Sequence, residues 1–186
     1  PNESLESYLT NENYGGDFVR FKKTQGFDVE IIYYDEVATT AAELKQVIMD
    51  YYQDNQMLEY LLLVGDVNGP YFIPTFTIDS YNEEDIDVTD YPYTFTEDVY
   101  EPHFFVGRWP VRSVADFLNI KSRSIQYVVM DYATSSTLDN ALLVAGNYKT
   151  ADGVDVPPTS WPVTPVWTSL WLYDKLDQYG YAQIDT

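Results

Sequence analysis

Residues 60–66 read YLLLVGD, a short continuous apolar run that ends in a Gly-Asp pair. A run of this kind is typical of a strand that is buried on both faces of a parallel sheet. Two later segments repeat the pattern, FFVGR at 104–108 and ALLVA at 141–145. Helical periodicity separates these strands, at residues 17–25, 44–52, 113–129 and 166–177. Because strands that alternate with crossover helices form covered parallel sheets, the sequence predicts an α/β fold with a mostly parallel sheet and helices on both faces.

Local signals indicate where several predicted elements begin and end. Thr40 and Glu43 have the spacing of a capping box, so a helix is expected to begin after Thr40. Gly26 is expected to end the helix over 17–25. Alternating apolar and polar residues over 27–34 predict a strand with both faces partly covered. Residues 68–102 are expected to be rich in loops.

Composition and charge exclude several classes of function. The 186 residues contain 30 Asp and Glu against 10 Lys and Arg, which gives a formal net charge of −20. Nucleic acids and anionic membrane surfaces both require clustered Lys and Arg, so we expect neither as a partner. The sequence has no apolar run long enough to span a bilayer. It also has no Cys and a single His, His103, and therefore no thiol nucleophile and no disulfide.

Acidic residues concentrate in one segment of the chain. Between Gln46 and Gly107 the sequence has no Lys or Arg but 13 Asp and Glu. Calcium typically takes about six to eight oxygen ligands, and Asp85, Asp87 and Asp90 are the candidate ligands. The spacing is not that of an EF-hand, because Asp90 stands where the EF-hand glycine belongs. The alternative is a solvated acidic loop that keeps a secreted protein soluble, and both interpretations stay open at this point.

Three other residues are candidates for chemistry. Asp66 follows a predicted strand, at the edge where parallel sheets bind ligands, but an Asp in that place equally stabilises a turn. His103 has no Ser or Cys nucleophile around it and is expected to be a surface or packing histidine without a catalytic role. Arg108 is expected to pair with a carboxylate of the acidic segment.

Several short segments occur in an order that resembles a known family. They are KKTQGFDV at 22–29, LLLVGD at 61–66, IP at 73–74, TDYPY at 89–93, FVGRWPV at 105–111, ALLVA at 141–145 and QYGY at 178–181. Together they resemble the gingipain-type cysteine peptidase family, and the resemblance spans nearly the whole chain.

The resemblance implies a caspase-like fold in two halves, secretion from bacteria, structural calcium ions and a Cys–His peptidase mechanism. Residues 1–135 would be the first α/β subdomain of the catalytic domain, and 136–186 the truncated start of the second. The family's catalytic Cys and His would lie beyond residue 186, so the site residues of this chain include no catalytic ones. The acidic partner of the catalytic His would fall near Tyr148, where this sequence has no carboxylate. We therefore expect the chain to be a piece of a longer protein.

Three hypotheses follow. The leading one is the N-terminal part of a secreted bacterial cysteine endopeptidase, inactive alone, whose partners are the remaining half of the catalytic domain and a protein or peptide substrate. The rival is an acidic surface domain of the same fold that binds calcium or a partner without catalysis. The third is a flavodoxin-like or receiver-like domain that uses Asp66, although no acidic pair accompanies this residue.

Overall fold

The computed structural model of the chain describes residues 1–13, 15–79, 86–96, 101–131, 136–146 and 165–186. The described α-helices are α1 (Glu6–Thr10), α2 (Phe18–Thr24), α3 (Tyr34–Val37), α4 (Ala41–Asp54), α5 (Val114–Val129) and α6 (Pro165–Gln178). The described strands are β1 (Tyr60–Val64), β2 (Phe76–Asp79), β3 (Ile86–Thr89), β4 (Phe105–Trp109), β5 (Asn140–Leu142) and β6 (Gln183–Asp185). Short 3-10 helices lie at Glu3–Leu5, Tyr91–Thr94 and Ser136–Asp139. The chain divides into two compact units, Pro1–Val129 and Met130–Thr186. The predicted boundary between subdomains, after residue 135, stays a prediction.

The first unit is built on a parallel pair of strands, β1 and β4, in register from Tyr60 opposite Phe105 to Val64 opposite Trp109. Successive side chains of a strand point to opposite faces, and each face of β1 has its own core. One core contains Leu63 with residues of α4, and the other contains Val64 with residues of α2 and α5. The prediction of a strand covered on both faces by helices is therefore confirmed.

The two cores of this unit are made of different parts of the chain. The core on the α4 side is formed by Ala38, Leu44, Ile48, Met49, Leu63, Ile73, Tyr93 and Phe104. The core on the opposite side is formed by Leu5, Leu9, Phe18, Val64, Val111 and Phe117. Burial of large apolar side chains of this kind stabilises a domain by about 1.5–3 kcal/mol each, so these cores hold β1 and β4 in place.

The predicted helix ends are confirmed. The Thr40 hydroxyl accepts from the backbone N–H of Glu43, while the Glu43 carboxylate accepts from the backbone N–H of Thr40, which completes the capping box. The Asp17 side chain caps α2 in the same way by accepting from the backbone N–H of Arg20. The chain then leaves α2 through Gly26, whose φ of +94° is readily adopted only by glycine.

A buried lysine fastens α1 to α5. Lys121 is fully buried, and its ammonium donates to the backbone carbonyl oxygens of Tyr8 and Asn11, at the C-terminal end of α1. Burial lowers the pKa of the Lys121 ammonium. A cation at this end of a helix is favoured, because the last carbonyl groups carry partial negative charge.

The strand predicted over 27–34 is wrong. Residues 27–33 belong to no strand, and α3 begins at Tyr34. The backbone N–H of Phe27 donates to Lys22, and that of Tyr34 donates to Pro1, so the hydrogen bonds at both ends of this segment are not those of a sheet. The apolar alternation reflects packing instead, because Ile31 lies against the core on the α2 and α5 side.

The segment 68–102, predicted to be rich in loops, contains regular structure. β2 and β3 form an antiparallel pair in which Phe76 lies opposite Thr89 and Asp79 lies opposite Ile86. The short strands alternate apolar residues with Thr or Asp, and most of their side chains are exposed. These strands were not predicted because the segment is rich in acidic residues, which are uncommon in strands.

The second unit contains the parallel pair of β5 and β6 together with α6. The strand expected over 141–145 is shorter and shifted, and ends at Leu142. None of the residues 138–146 and 165–186 of this unit is buried, and Leu170 and Trp171 of α6 are 53% and 48% exposed. Within the described parts of the chain, no helix has the length and apolar character needed to cross a membrane.

Candidate functional site

A largely buried arginine lies at the carboxyl end of the parallel pair of strands. Arg108 of β4 is opposite Leu63 of β1, and its side chain is 11% exposed. Its Nε and Nη2 atoms donate to the two carboxylate oxygens of Asp90, both at 2.7 Å. This paired geometry is the strongest that an arginine and a carboxylate form. The expected pairing of Arg108 with the acidic segment is therefore confirmed, and Asp90 is the partner.

The same guanidinium group also binds three backbone carbonyl groups. Its Nη1 atom donates to Gly65 at 2.9 Å and to Ile73 at 3.0 Å, and Nη2 donates to Pro74 at 3.1 Å. An arginine has five N–H donors, and all five are used here. We call this set, Arg108 with Asp90 and the three carbonyl groups, the Arg108 network. It joins the end of β1 to the segment before β2 and to the residue after β3.

Gly65 is required at its place in this network. Its φ is +155°, and a Cβ atom there would collide with the carbonyl oxygen of Tyr71 and lie 2.9 Å from the Cγ1 atom of Ile73. The backbone therefore turns sharply after β1, and this turn presents the Gly65 carbonyl oxygen to Arg108.

Asp66, the next residue, is bonded within the protein. It is 7% exposed, and one carboxylate oxygen accepts from the backbone N–H of Val67 at 2.7 Å. The other oxygen accepts from the Nε atom of Arg112, and this hydrogen bond lowers the pKa of the Asp66 carboxyl. An ionised carboxylate with both oxygens engaged is a poor base. The structure therefore supports the turn-stabilising interpretation of Asp66 over ligand binding.

Tyr93 completes the polar contacts around the Arg108 network. It is fully buried, and its hydroxyl donates to the carbonyl oxygen of Pro74 at 2.7 Å. Burial, and the nearby charge of Asp90, raise the pKa of the Tyr93 hydroxyl, so the phenol stays protonated and acts as a donor. Pro74 is thus fixed by Arg108 from one side and by Tyr93 from the other.

The three predicted calcium ligands are not brought together by the described residues. Asp85 lies outside the part of the chain that the structure describes. Asp87 is an exposed residue of β3 opposite Ile78, whereas both oxygens of Asp90 accept from Arg108. Among the described residues, no group of three or more His, Cys, Asp or Glu side chains is placed to hold a metal ion. The described residues alone do not form a calcium cage, and calcium binding stays a prediction from the sequence.

His103 has a packing role. Its ring is stacked on Tyr52 at 5.0 Å between centroids, and its backbone N–H donates to the carbonyl oxygen of Thr94 at 2.7 Å. The sequence contains no Cys with which it could form a catalytic pair. These contacts agree with the expected packing histidine, and its lack of a catalytic role stays a prediction.

Some of these contacts could not be found from the sequence. The carbonyl acceptors of Arg108 leave no mark on residue type, and the pairing of Asp66 with Arg112 joins residues 46 positions apart. The available signal was the charge pattern, since Arg108 and Arg112 are the first cations after the long acidic segment.

The fold and the site define an α/β domain of the caspase-like type, in which the carboxyl-end network of the first unit is structural. A family model described as Peptidase family C25 matches residues 12–182. The chain belongs to this family, which is a family of cysteine peptidases.

Two solved structures have a similar fold. One is the Arg-specific cysteine proteinase gingipain R, with a TM-score of 0.68 and 22% identity over 99% of this chain and 39% of that chain. The other is a complex of the pro- and mature domains of RgpB from Porphyromonas gingivalis, with the same TM-score and identity and 40% of that chain covered. The chain thus spans about two fifths of the length of these proteins. No curated protein matches the sequence. The similarity confirms the predicted caspase-like α/β fold.

Proposed function

We propose that this chain is the N-terminal, non-catalytic part of the catalytic domain of a secreted bacterial cysteine endopeptidase. The observation that carries the proposal is the family match over 12–182 in a sequence that has no Cys. The thiol and the catalytic histidine of such an enzyme would be supplied by residues outside this chain.

In the proposed enzyme, the thiolate attacks the carbonyl carbon of the scissile peptide bond, and the histidine protonates the leaving amine. Water then hydrolyses the resulting thioester and regenerates the thiol. The part played by this chain is structural. The Arg108 network binds the turn that follows β1 to β4, at the edge where parallel sheets present their functional residues.

Exposed apolar side chains of the second unit support the proposal that another part of the catalytic domain packs against this chain. None of this unit's residues 138–146 and 165–186 is buried, while Leu142 of β5 is 70% exposed and Trp171 of α6 is 48% exposed. Large exposed apolar side chains of this kind are typical of surface that packs against another element. We propose that the remaining half of the catalytic domain covers it, and that the substrate of the assembled enzyme is a protein or peptide.

The test compares the 186-residue chain with a longer protein that continues through the proposed catalytic residues. The chain alone is expected to cleave no member of a broad peptide library, and the longer protein is expected to cleave peptides until its thiol is alkylated with iodoacetamide. Turnover by the purified chain alone, or turnover by the longer protein that survives alkylation, would contradict the proposal.

A further inference from the structure

The antiparallel pair of β2 and β3 extends from a firmly held base. We call its residues 76–79 and 86–89 the ribbon. At the base, the Thr75 hydroxyl donates to the carbonyl oxygen of Thr89 at 2.9 Å, and the Phe76 ring lies edge-on to Tyr93 at 5.1 Å. Asp90, directly after the ribbon, is held by Arg108. The ribbon therefore leaves the domain in a fixed direction.

Beyond this base the ribbon is uncovered. Ile78, Ile86 and Val88 are 52%, 64% and 56% exposed. The register places Ile78 opposite Asp87 and Ile86 opposite Asp79, and residues opposite each other lie on the same face. Each face of the ribbon thus presents an exposed isoleucine beside an exposed carboxylate.

In the described parts of the chain, the edges of the ribbon have no further strand beside them. Among the described residues, β2 and β3 pair only with each other. A two-stranded ribbon is marginally stable by itself, and the unpaired N–H and C=O groups of its edges are a template for a further strand. An extended polypeptide could add to such an edge by backbone hydrogen bonds, with its side chains deciding the specificity.

Charge decides which polypeptide fits. Asp79 and Asp87 form no ion pair with any described residue, and the sequence has no Lys or Arg between positions 46 and 107. A second copy of this chain would bring another net charge of −20 to the same surface, so self-association through the ribbon is opposed by repulsion. An added strand lies beside one edge strand, in which an isoleucine and a carboxylate point to opposite faces, as Ile78 and Asp79 do in β2 and Ile86 and Asp87 do in β3. A polypeptide that alternates Lys or Arg with apolar residues would therefore place its basic side chains on the face of the carboxylate and its apolar side chains on the face of the isoleucine.

We infer that the ribbon is a docking surface for an extended, positively charged polypeptide segment that alternates basic and apolar residues. The inference goes beyond the proposed peptidase function, because binding at the ribbon requires no cleavage. A binding measurement on this chain therefore succeeds or fails independently of the activity test above.

The test uses the 186-residue chain and a fluorescein-labelled ten-residue peptide that alternates Lys and Val, with a Glu-Val peptide as the charge control. Fluorescence anisotropy at physiological salt is expected to show saturable binding of the Lys-Val peptide alone. The double variant Asp79→Asn/Asp87→Asn is expected to weaken binding by about tenfold, because it removes the charge pairs between these carboxylates and the Lys side chains of the peptide. Ile86→Thr/Val88→Thr, which keeps β-branched side chains, is expected to weaken it by a similar factor.

A matched control removes the same charge elsewhere. Asp28→Asn/Asp54→Asn changes two exposed carboxylates outside the ribbon and is expected to alter binding by less than about twofold, because neither belongs to the ribbon and salt screens exposed charges. An equal loss in the control would mean diffuse attraction to the acidic surface and would overturn the inference. Absence of saturable binding would overturn it as well.

Two further measurements locate the bound peptide and detect self-association of the chain. Sedimentation that shows self-association, abolished by Ile86→Thr/Val88→Thr, would identify a second copy as the occupant and contradict the inference. Amide chemical shifts of the unmodified chain are expected to change at 76–79 and 86–89 when the Lys-Val peptide is added. Shifts confined to residues outside the ribbon would overturn the inference even if a ribbon variant failed to fold.

Discussion

Replacement of Arg108 by methionine tests whether the Arg108 network holds the first unit together. The change keeps a long unbranched side chain in the core but removes all five N–H donors. It leaves the Asp90 carboxylate, whose side chain is 19% exposed, without its partner. It also leaves the carbonyl oxygens of Gly65, Ile73 and Pro74 without the donor described above.

The magnitude follows from these losses. Removing one partner of a buried ion pair costs about 3–5 kcal/mol, because the remaining charge stays buried without compensation. Water can reach part of Asp90, so we expect the free energy of unfolding to fall by about 4 kcal/mol. For a chain of this length, that corresponds to a decrease of roughly 8–16 °C in Tm. Arg108→Lys retains the charge but not the paired geometry, and should cost about half as much.

The assay is urea unfolding followed by far-ultraviolet circular dichroism, with Arg20→Met as the matched control. Arg20 pairs with Glu12 at 2.5 Å, but its side chain is 71% exposed, and exposed pairs contribute less than about 1 kcal/mol. Combining Arg108→Met with Asp90→Asn should cost less than the sum of the two single changes, because the network is already broken by either. If Arg108→Met were no more destabilising than Arg20→Met, or if the two costs simply added, the structural role assigned to Arg108 would be refuted.

Three other predictions concern stability. We propose from the sequence that calcium binds the acidic segment, so millimolar Ca²⁺ should raise Tm, relative to a chelator, by more than Mg²⁺ does, and the increase should be smaller in Asp87→Asn. A hundredfold excess of Ca²⁺ over its Kd would raise the free energy of unfolding by about 2.7 kcal/mol. Equal midpoints with Ca²⁺ and with chelator would contradict binding. Lys121→Met should lower the free energy of unfolding by about 1–3 kcal/mol in urea, since the Tyr8 carbonyl group loses its buried donor; an unchanged midpoint would count against this contact. Because the pKa of Asp66 is lowered in the folded state, its contribution is present above the unfolded pKa near 3.9 and is lost as the pH falls through the folded value. The stability difference between the unmodified chain and Asp66→Asn should therefore shrink as the pH falls below the unfolded pKa, and a constant difference would argue against the shift.

The parts of the fold that were predicted correctly depend on local signals. The capping box at Thr40 and Glu43 needs only residues three apart, and the apolar run over 60–64 needs no knowledge of its neighbours. The prediction of a strand over 27–34 was wrong because the alternation of apolar and polar residues indicates which side chains are buried, not whether the backbone pairs with another strand. Whether an extended segment becomes a strand depends on a neighbour that accepts its hydrogen bonds, and the sequence does not contain this information locally.

In the candidate site, too, some contacts were predictable from the sequence and others were not. The ion pair of Arg108 was predictable from charge, because Arg108 is the first cation after a long acidic segment and many carboxylates precede it. The choice of Asp90 and of three carbonyl groups was not predictable, since backbone acceptors are the same for every residue type. Likewise, the spacing of Asp85, Asp87 and Asp90 suggested a common ligand set. In the structure, however, Asp87 is a residue of β3 opposite Ile78, whereas the Asp90 carboxylate binds Arg108.

The sequence separations within the Arg108 network have a consequence for folding kinetics. Arg108 lies 43 residues after Gly65 and 18 after Asp90, so its contacts close long loops, and the contact with Gly65 requires β1 and β4 to be side by side. Interactions that form after the transition state act on the unfolding rate and leave the folding rate nearly unchanged. The network should therefore prolong the lifetime of the folded state without speeding its formation. In a chevron plot, Arg108→Met is expected to leave the folding rate nearly unchanged and to raise the unfolding rate at every denaturant concentration. A lower folding rate would instead place the network in the folding nucleus.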